Sequence, residues 1–295
     1  MSGGLRVVAV GGGHGQAMSL RAIRHYASSI TAVVAVADDG GSSGRLRDAL
    51  GIIPPGDLRK CLLALADPDS PAVDLFRYRF PETAVEGHAL GNLMLAALFA
   101  ERPSVIEALD AAGQLLGACG RVLPATLASV TLHAEGPRGP VDGQVAVMAA
   151  SDIRQISLRP ERPDAPDEVL EAISTADQII IGPGSLYTSV LAAVAVPAIT
   201  QAITESAAQR IFVANLRAED AETRGYDVAA QVDALGRHGI PVDVVVCDTS
   251  RIDLGMVGPR VVEVALARRN GLAHDPDRLW PVLEALDGER RDRSA

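Results

Sequence analysis

The residues best equipped for chemistry lie between Asp38 and Asp57, in the run Asp-Asp-Gly-Gly-Ser-Ser-Gly-Arg-Leu-Arg-Asp-Ala-Leu-Gly-Ile-Ile-Pro-Pro-Gly-Asp. The preceding apolar run, Ile30 to Ala37, reads as a buried strand, so the carboxylates of Asp38 and Asp39 emerge where it ends. Carboxylates at such an edge suit a cation or a ligand hydroxyl. Gly40, Gly41, Ser42, Ser43 and Gly44 offer backbone N–H groups and hydroxyls to an anion, and Arg45 and Arg47 add positive charge. Asp57 either caps the helix through Leu58, Leu62 and Leu65 or folds back toward Asp38 as a ligand for Mg²⁺ carried on a nucleotide phosphate.

Three other stretches have the same character. Leu5 to Val10 is an apolar strand, Gly11 to Gly15 a glycine turn holding Gly12, Gly13 and His14, and Gln16 to Tyr26 a helix; with the strand after it this makes a βαβ unit. Such a turn aims a helix N-terminus at a phosphate. It is not the dinucleotide fingerprint, because Gln16 stands where a third glycine belongs, although Asp38 occupies the place of a ribose-binding acid. His14 is either a ligand contact or an ordinary turn residue. In Gly87-His88-Ala89-Leu90-Gly91-Asn92-Leu93, His88 and Asn92 are four residues apart and expected on one helix face, either meeting a ligand or packing helices. Gly182-Pro183-Gly184-Ser185-Leu186-Tyr187-Thr188-Ser189 follows the strand Gln178 to Ile181 and mirrors the first glycine turn. There Ser185 is a helix cap, a ligand contact or both.

The elements needed to position these residues follow an α/β alternation. Two glycine turns at strand ends fit a parallel sheet whose carboxyl edge forms one crevice, which the ends of later strands, Asn215 and Asp248, can also reach. A turn role is the simpler reading for Asp248. A β-rich region from Arg121 to Arg159, with strands expected at Thr126 to Glu135, Val141 to Ala149 and Gln155 to Leu158, interrupts the alternation. This excursion either covers the site or forms a subunit contact, the route to a homodimer. Residues 1–287 are expected to be one α/β domain and 288–295 a frayed charged tail.

Composition narrows the function. The 295 residues are 48% apolar, enough for a large core, and carry net charge −10 with only 3% aromatics, which argues against a nucleic-acid partner. Cys61, Cys119 and Cys247 lack disulfide or zinc spacing and read as core thiols. With no signal-like start and no 18-residue apolar run, the expectation is a cytoplasmic chain without a membrane span.

Taken in order, the glycine turn, the Asp38-to-Asp57 run, Gly87 to Leu93 and Gly182 to Ser189 resemble the YvcK family of gluconeogenesis factors. That family shares a superfamily with the CofD-type 2-phospho-lactate transferases. The resemblance covers about Leu5 to Leu279 and implies a Rossmann-like three-layer α/β/α fold with a mostly parallel sheet. CofD-type enzymes transfer a phospholactyl group from a guanosine diphosphate donor to a deazaflavin with Mg²⁺. YvcK-like proteins bind UDP-sugars and support cell-wall synthesis and cell shape during gluconeogenic growth, which implies protein partners in that process.

The Asp-Asp-Gly-Gly-Ser-Ser-Gly-Arg-Leu-Arg run is similar to the YvcK branch. By that resemblance Gly12, Gly13, Asp38, Asp39, Ser42, Ser43, Arg45, Asp57, Asn92, Gly184 and Ser185 are site residues, with His14 and His88 beside them. Asp38 and Asp57 are the candidates for a metal. Two departures bear on specificity: the family turn has Thr at the place of His14 and an apolar residue at that of Gln16, and its Met-Thr-Gln-Pro-Gly-Glu-Thr loop reads Arg217 to Thr223 here. The first expectation is a UDP-sugar-binding regulator. The alternatives are an Mg²⁺-dependent transferase of the CofD type and an NAD-dependent oxidoreductase, the last weakened by Gln16. No motif places a serine, a histidine and an acid together as a nucleophile arrangement.

Overall fold

Runs of apolar, largely β-branched residues form the strands, because both faces of a parallel sheet are covered and nothing in them need be polar. The computed structural model describes residues 4–294 except 84, 219 and 220. Its strands are β1 (Arg6–Gly11), β2 (Ser29–Val34), β3 (Arg121–Pro124), β4 (Thr131–Glu135), β5 (Val141–Asp142) and β6 (Gln155–Arg159). After them come β7 (Gln178–Ile181), β8 (Gln209–Val213), β9 (Val244–Cys247) and β10 (Arg260–Glu263). Seven form one sheet in the order β10-β9-β8-β7-β1-β2-β3, every neighbouring pair parallel. The chain builds outward from β1 through β2 to β3, then returns to place β7 on the other side of β1 and builds outward again. The topological switch point therefore lies between β1 and β7, where open α/β sheets bind ligands.

Helices cover both faces, giving the three-layer Rossmann-like arrangement. In the first half they are α1 (Gly13–Ile23), α2 (Gly41–Leu50), α3 (Pro55–Leu65), α4 (Ala72–Arg77), α5 (Leu90–Glu101), α6 (Val105–Leu115) and α7 (Gln144–Ala149). In the second half, α8 (Asp167–Ser174) precedes β7, and a π-helical turn Leu186–Leu191 runs into α9 (Ala192–Val194). The rest are α10 (Pro197–Glu205), α11 (Val228–Arg237) and α12 (Pro276–Ser294). Among the described residues no single helix is long and apolar enough to cross a membrane.

The excursion differs from its sequence pattern. Arg121–Pro124 belongs to the main sheet, paired with β2, and the separate three-stranded antiparallel sheet has the order β5-β4-β6. Val141 to Ala149, expected as a strand, pairs only through Val141 and Asp142. Gly143, at φ +96°, then breaks the strand, and the Asp39 carboxylate accepts the N–H groups of Gln144 (2.8 Å) and Val145 (3.0 Å), starting α7. The capping group lies more than 100 residues upstream, so no local pattern announces this helix. Two side chains anchor the excursion to the main body: Tyr187 donates its hydroxyl to Ile153 O (2.9 Å), and His238 Nε2 accepts the Ile156 N–H (3.0 Å).

Other differences are smaller. The charged stretch after Asp287 continues α12 to Ser294, residue 295 lying outside the described residues. Cys61 and Cys247 are buried as expected, whereas Cys119 is exposed.

Gln16 has a structural role that its place in a broken fingerprint conceals. Fully buried, it donates Nε2 to Ala9 O and Val33 O, both at 2.9 Å, and accepts the Cys61 thiol. One amide thereby ties β1, β2 and α3 together beneath the site. Gln16→Leu keeps the volume but strips these carbonyls of a donor. The expected loss of unfolding free energy is about 2–3 kcal/mol by denaturant titration; a loss under about 0.5 kcal/mol would contradict this role.

Candidate functional site

The two glycine turns meet at the switch point. After β1, Gly12 is extended and Gly13 takes φ +66°, so α1 starts abruptly with no side-chain cap, leaving the N–H groups of its first turn facing outward. After β7, Gly182 and Gly184 take φ +74° and +152°. A Cβ on Gly15 would lie 2.3 Å from Pro183 O, so only glycine lets the first turn of α1 rest on the second turn. Asn215, just beyond β8, clamps that turn in both senses: its Oδ1 accepts the Gly184 N–H (3.1 Å) and its Nδ2 donates to Gly184 O (2.8 Å). The π-helical turn follows at once, an irregularity common at functional sites.

These turns floor a cleft of about 1080 Å³. Gly12, Gly13, His14, Asp38, Gly184 and Ser185 all line it, as the sequence led us to expect, and so does Asp57. Asp57 does not cap α3, whose N-cap is Pro54; it lies in the first turn and pairs with Lys60 (Nζ to Oδ1, 2.8 Å), its other oxygen facing Gly12. Asp38 accepts the Gly40 N–H at 2.9 Å. Burial, with the Asp57 and Asp39 charges adding to it, lifts its carboxyl above the usual range despite that bond. His14, at the rim, is pushed below its ordinary value by desolvation and then by Lys60, which keeps the imidazole neutral near pH 7.

Asp39, Ser42, Ser43, Arg45, His88 and Asn92 are not in the cleft lining. Asp39 holds α7, whose Gln144, Val145 and Met148 form one wall. Ser42 Oγ lies 2.7 Å from His88 Nδ1 and accepts Asn92 Nδ2 (3.2 Å), while Asn92 Oδ1 accepts Arg59 Nε (2.8 Å). One proton lies between Ser42 Oγ and His88 Nδ1, on the side set by the histidine tautomer. This network joins α2, α3 and α5. The expected common helix face is absent, because α5 begins at Leu90 and His88 lies in the turn before it; His88 and Asn92 meet instead at a shared partner, Ser42. Ser43 packs its hydroxyl against Gly56, and Arg45 lies on the exposed face of α2. Arg47 reaches Thr131 on β4. Asp248 keeps the turn role, accepting the N–H groups of Ser250, Leu266 and Ala267. In the altered loop, Arg217, Ala218 and Ala221 line the cleft, while Glu219 and Asp220 lie outside the described residues.

The sequence reading passed over Lys60, Arg21, Arg268 and His274, all of which line the cleft. Two of them carried a signal: Lys60 is one turn from Asp57, and Arg21 is two turns from His14 on the same face of α1. A resident metal is a poor fit. Among the described residues no three His, Cys, Asp or Glu side chains gather to hold one. Asp39 is committed to α7 and one Asp57 oxygen to Lys60. What remains, one oxygen each from Asp38 and Asp57, fits Mg²⁺ arriving on a diphosphate that supplies the other ligands.

The uncapped helix N-terminus, the paired glycine turns and the carboxylate–lysine pair all meet at the switch point of a Rossmann-like sheet, which defines the class as a three-layer α/β protein with its cleft at that point. The family model described as 2-phospho-L-lactate transferase CofD matches residues 7–274, and the chain belongs to the CofD family. Within it, the chain is 37% identical to a "Putative gluconeogenesis factor" of Thermoanaerobacterium thermosulfurigenes, over 96% of this chain and 97% of that one. It is 42% identical to the "Gluconeogenesis factor" of Bacillus subtilis, over 79% of this chain and 74% of that one. A Nostoc relative of the same description is longer; at 44% identity this chain spans 52% of it. The crystal structure of a upf0052 family protein from Bacillus halodurans superposes with a TM-score of 0.89 at 34% identity, covering 97% of this chain and 99% of that one.

His274 generates a pH prediction. Buried in the cleft wall with Nε2 on Ala214 O (3.0 Å), it is pushed down from 6.5 to about 4, chiefly by desolvation. The unfolded chain takes up this proton first as pH falls, so stability is full above about 6.5 and drains away between there and about 4. The group accounts for up to about 3 kcal/mol over that window. Unfolding titrations at stepped pH should show the loss in the parent and a flatter profile in His274→Gln; identical profiles would contradict the assignment.

Proposed function

We propose that the chain is a cytoplasmic UDP-sugar-binding regulator of the gluconeogenesis-factor type, acting through protein partners on cell-wall synthesis and cell shape. One observation carries the reading: the uncapped N-terminus of α1 opens into the cleft between two glycine turns, with Lys60 beside it. The diphosphate lies against the N–H groups of Gly13 to Gly15 and the Gly184-Ser185 turn, which offer donors without side-chain obstruction. Lys60 adds a charge that Asp57 holds in place, and Asp38 accepts a hydroxyl of the ribose or the sugar. His14 offers a ring N–H hydrogen bond at the rim. The choice of a UDP-sugar rests on the resemblance to the YvcK family. The family model supports a second reading, an Mg²⁺-dependent transfer from a nucleoside-diphosphate donor, in which Asp38 and Asp57 meet the ion carried by the donor.

Calorimetric titration separates the two. The regulator reading expects UDP-N-acetylglucosamine to bind without Mg²⁺ and to be recovered intact, and Lys60→Ala to weaken it by about 1.5–3 kcal/mol through loss of a charge-assisted contact. Preference for GDP that depends on Mg²⁺ would overturn it in favour of transfer, and preference for NAD in favour of a dehydrogenase.

A further inference from the structure

The cleft has a second charged region that the diphosphate site does not use. His14, Met18 and Arg21 stand at i, i+4 and i+7 along α1 and all line the cleft, so it follows that helix from its N-terminus to its last turn. At 1.5 Å per residue, Arg21 lies about 10 Å along the axis from His14. Two more arginines line the cleft, Arg217 from the loop after β8 and Arg268 from the hairpin closed by the Ala267–His274 bridge. That hairpin is held in place: Arg268 N–H donates to Ala273 O (2.9 Å), Arg251 Nη2 to Gly271 O (3.2 Å), and His274 is anchored on Ala214.

Among the described residues, none of the three arginines is in an ion pair. Among the described residues the one side-chain hydrogen bond of Arg21 is to Met18 Sδ, at 3.8 Å. Half-burial and the neighbouring charges of Arg268, Arg77 and Arg24 lower its hold on its proton, the reverse of what a carboxylate partner does. A basic residue in the last turn of a helix ordinarily serves the carbonyl end. Arg21 makes no hydrogen bond to the carbonyls of α1, whereas Arg24, just past the helix, donates to Ala64 O and Ala66 O at the end of α3. Three cations lining one cleft in a chain of net charge −10, with Arg268 close enough to Arg21 to act on its charge, call for an anion from outside.

We infer that the arginines Arg21, Arg217 and Arg268 form a subsite for a second acidic group, and that the preferred ligand is a nucleoside-diphosphate sugar whose sugar carries a carboxylate. This rests on the diphosphate reading above, which sets where the sugar begins. Guanidinium groups suit the task because their planar donors meet a carboxylate two at a time.

UDP-glucose and UDP-glucuronate differ only in whether the sugar bears the acid, and calorimetry on the full chain compares them. The inference expects tighter binding of UDP-glucuronate by about ten- to hundred-fold. The ratio should fall toward one in Arg21→Gln and in Arg268→Gln, the second a substitution on an exposed hairpin that leaves the fold intact. Equal binding of the two ligands by the parent overturns this inference and leaves the UDP-sugar reading standing. Binding of neither removes both. Inorganic phosphate, titrated alone, tests for a free anion: if it binds at the arginines as tightly as the acid sugar gains, the linked-acid form is overturned.

Discussion

The constraint on which this architecture depends is the contact between Gly15 and Pro183. The first turn of α1 sits directly on the turn after β7, at a distance that no side chain on residue 15 permits. The contact closes the sheet at its switch point and brings two sets of backbone donors to one place. Asn215 extends it by holding both polar groups of Gly184, so the ends of β1, β7 and β8 are fixed relative to one another. A site that binds through N–H groups has no side chains to adjust, so its precision must come from such backbone contacts.

Charge is distributed around that floor in a way that decides what the cleft accepts. Asp57 and Lys60 neutralise each other in part, and Asp38 is lifted by burial. On the proposed reading this carboxylate end meets the hydroxyls of the ligand and any cation that travels with it. The Ser42–His88–Asn92–Arg59 network, buried except at Ser42, ties α2, α3 and α5 together beside this end. The antiparallel excursion supplies the facing wall, with Asp39 as its latch, so the first of two adjacent acids lines the cleft and the second holds the wall.

Much of this was legible in the sequence. The apolar runs, the two glycine turns and the alternation of elements gave the parallel sheet and its crevice, and Gly12, Gly13, His14, Asp38, Gly184 and Ser185 do line one cleft. What escaped depends on contacts between distant segments. The Val141-to-Ala149 pattern alternates like a strand, but Gly143 and the remote Asp39 carboxylate turn most of it into a helix. Ser42, His88 and Asn92 were polar residues needing a partner, and they found one another. Arg45 and Arg47 were read as the cleft's positive charge because they are near Asp38 in sequence. That charge comes instead from Lys60 and from arginines on α1, the loop after β8 and the hairpin after β10, which only the fold brings together.

The most direct test of the central claim is a crystal structure of the chain with a bound UDP-sugar. This account predicts the diphosphate against the first turn of α1 and the Gly184-Ser185 turn, with Lys60 within hydrogen-bond reach of a phosphate oxygen. A diphosphate seated away from the switch point, or a ligand whose phosphates leave the α1 N–H groups to water, would contradict it.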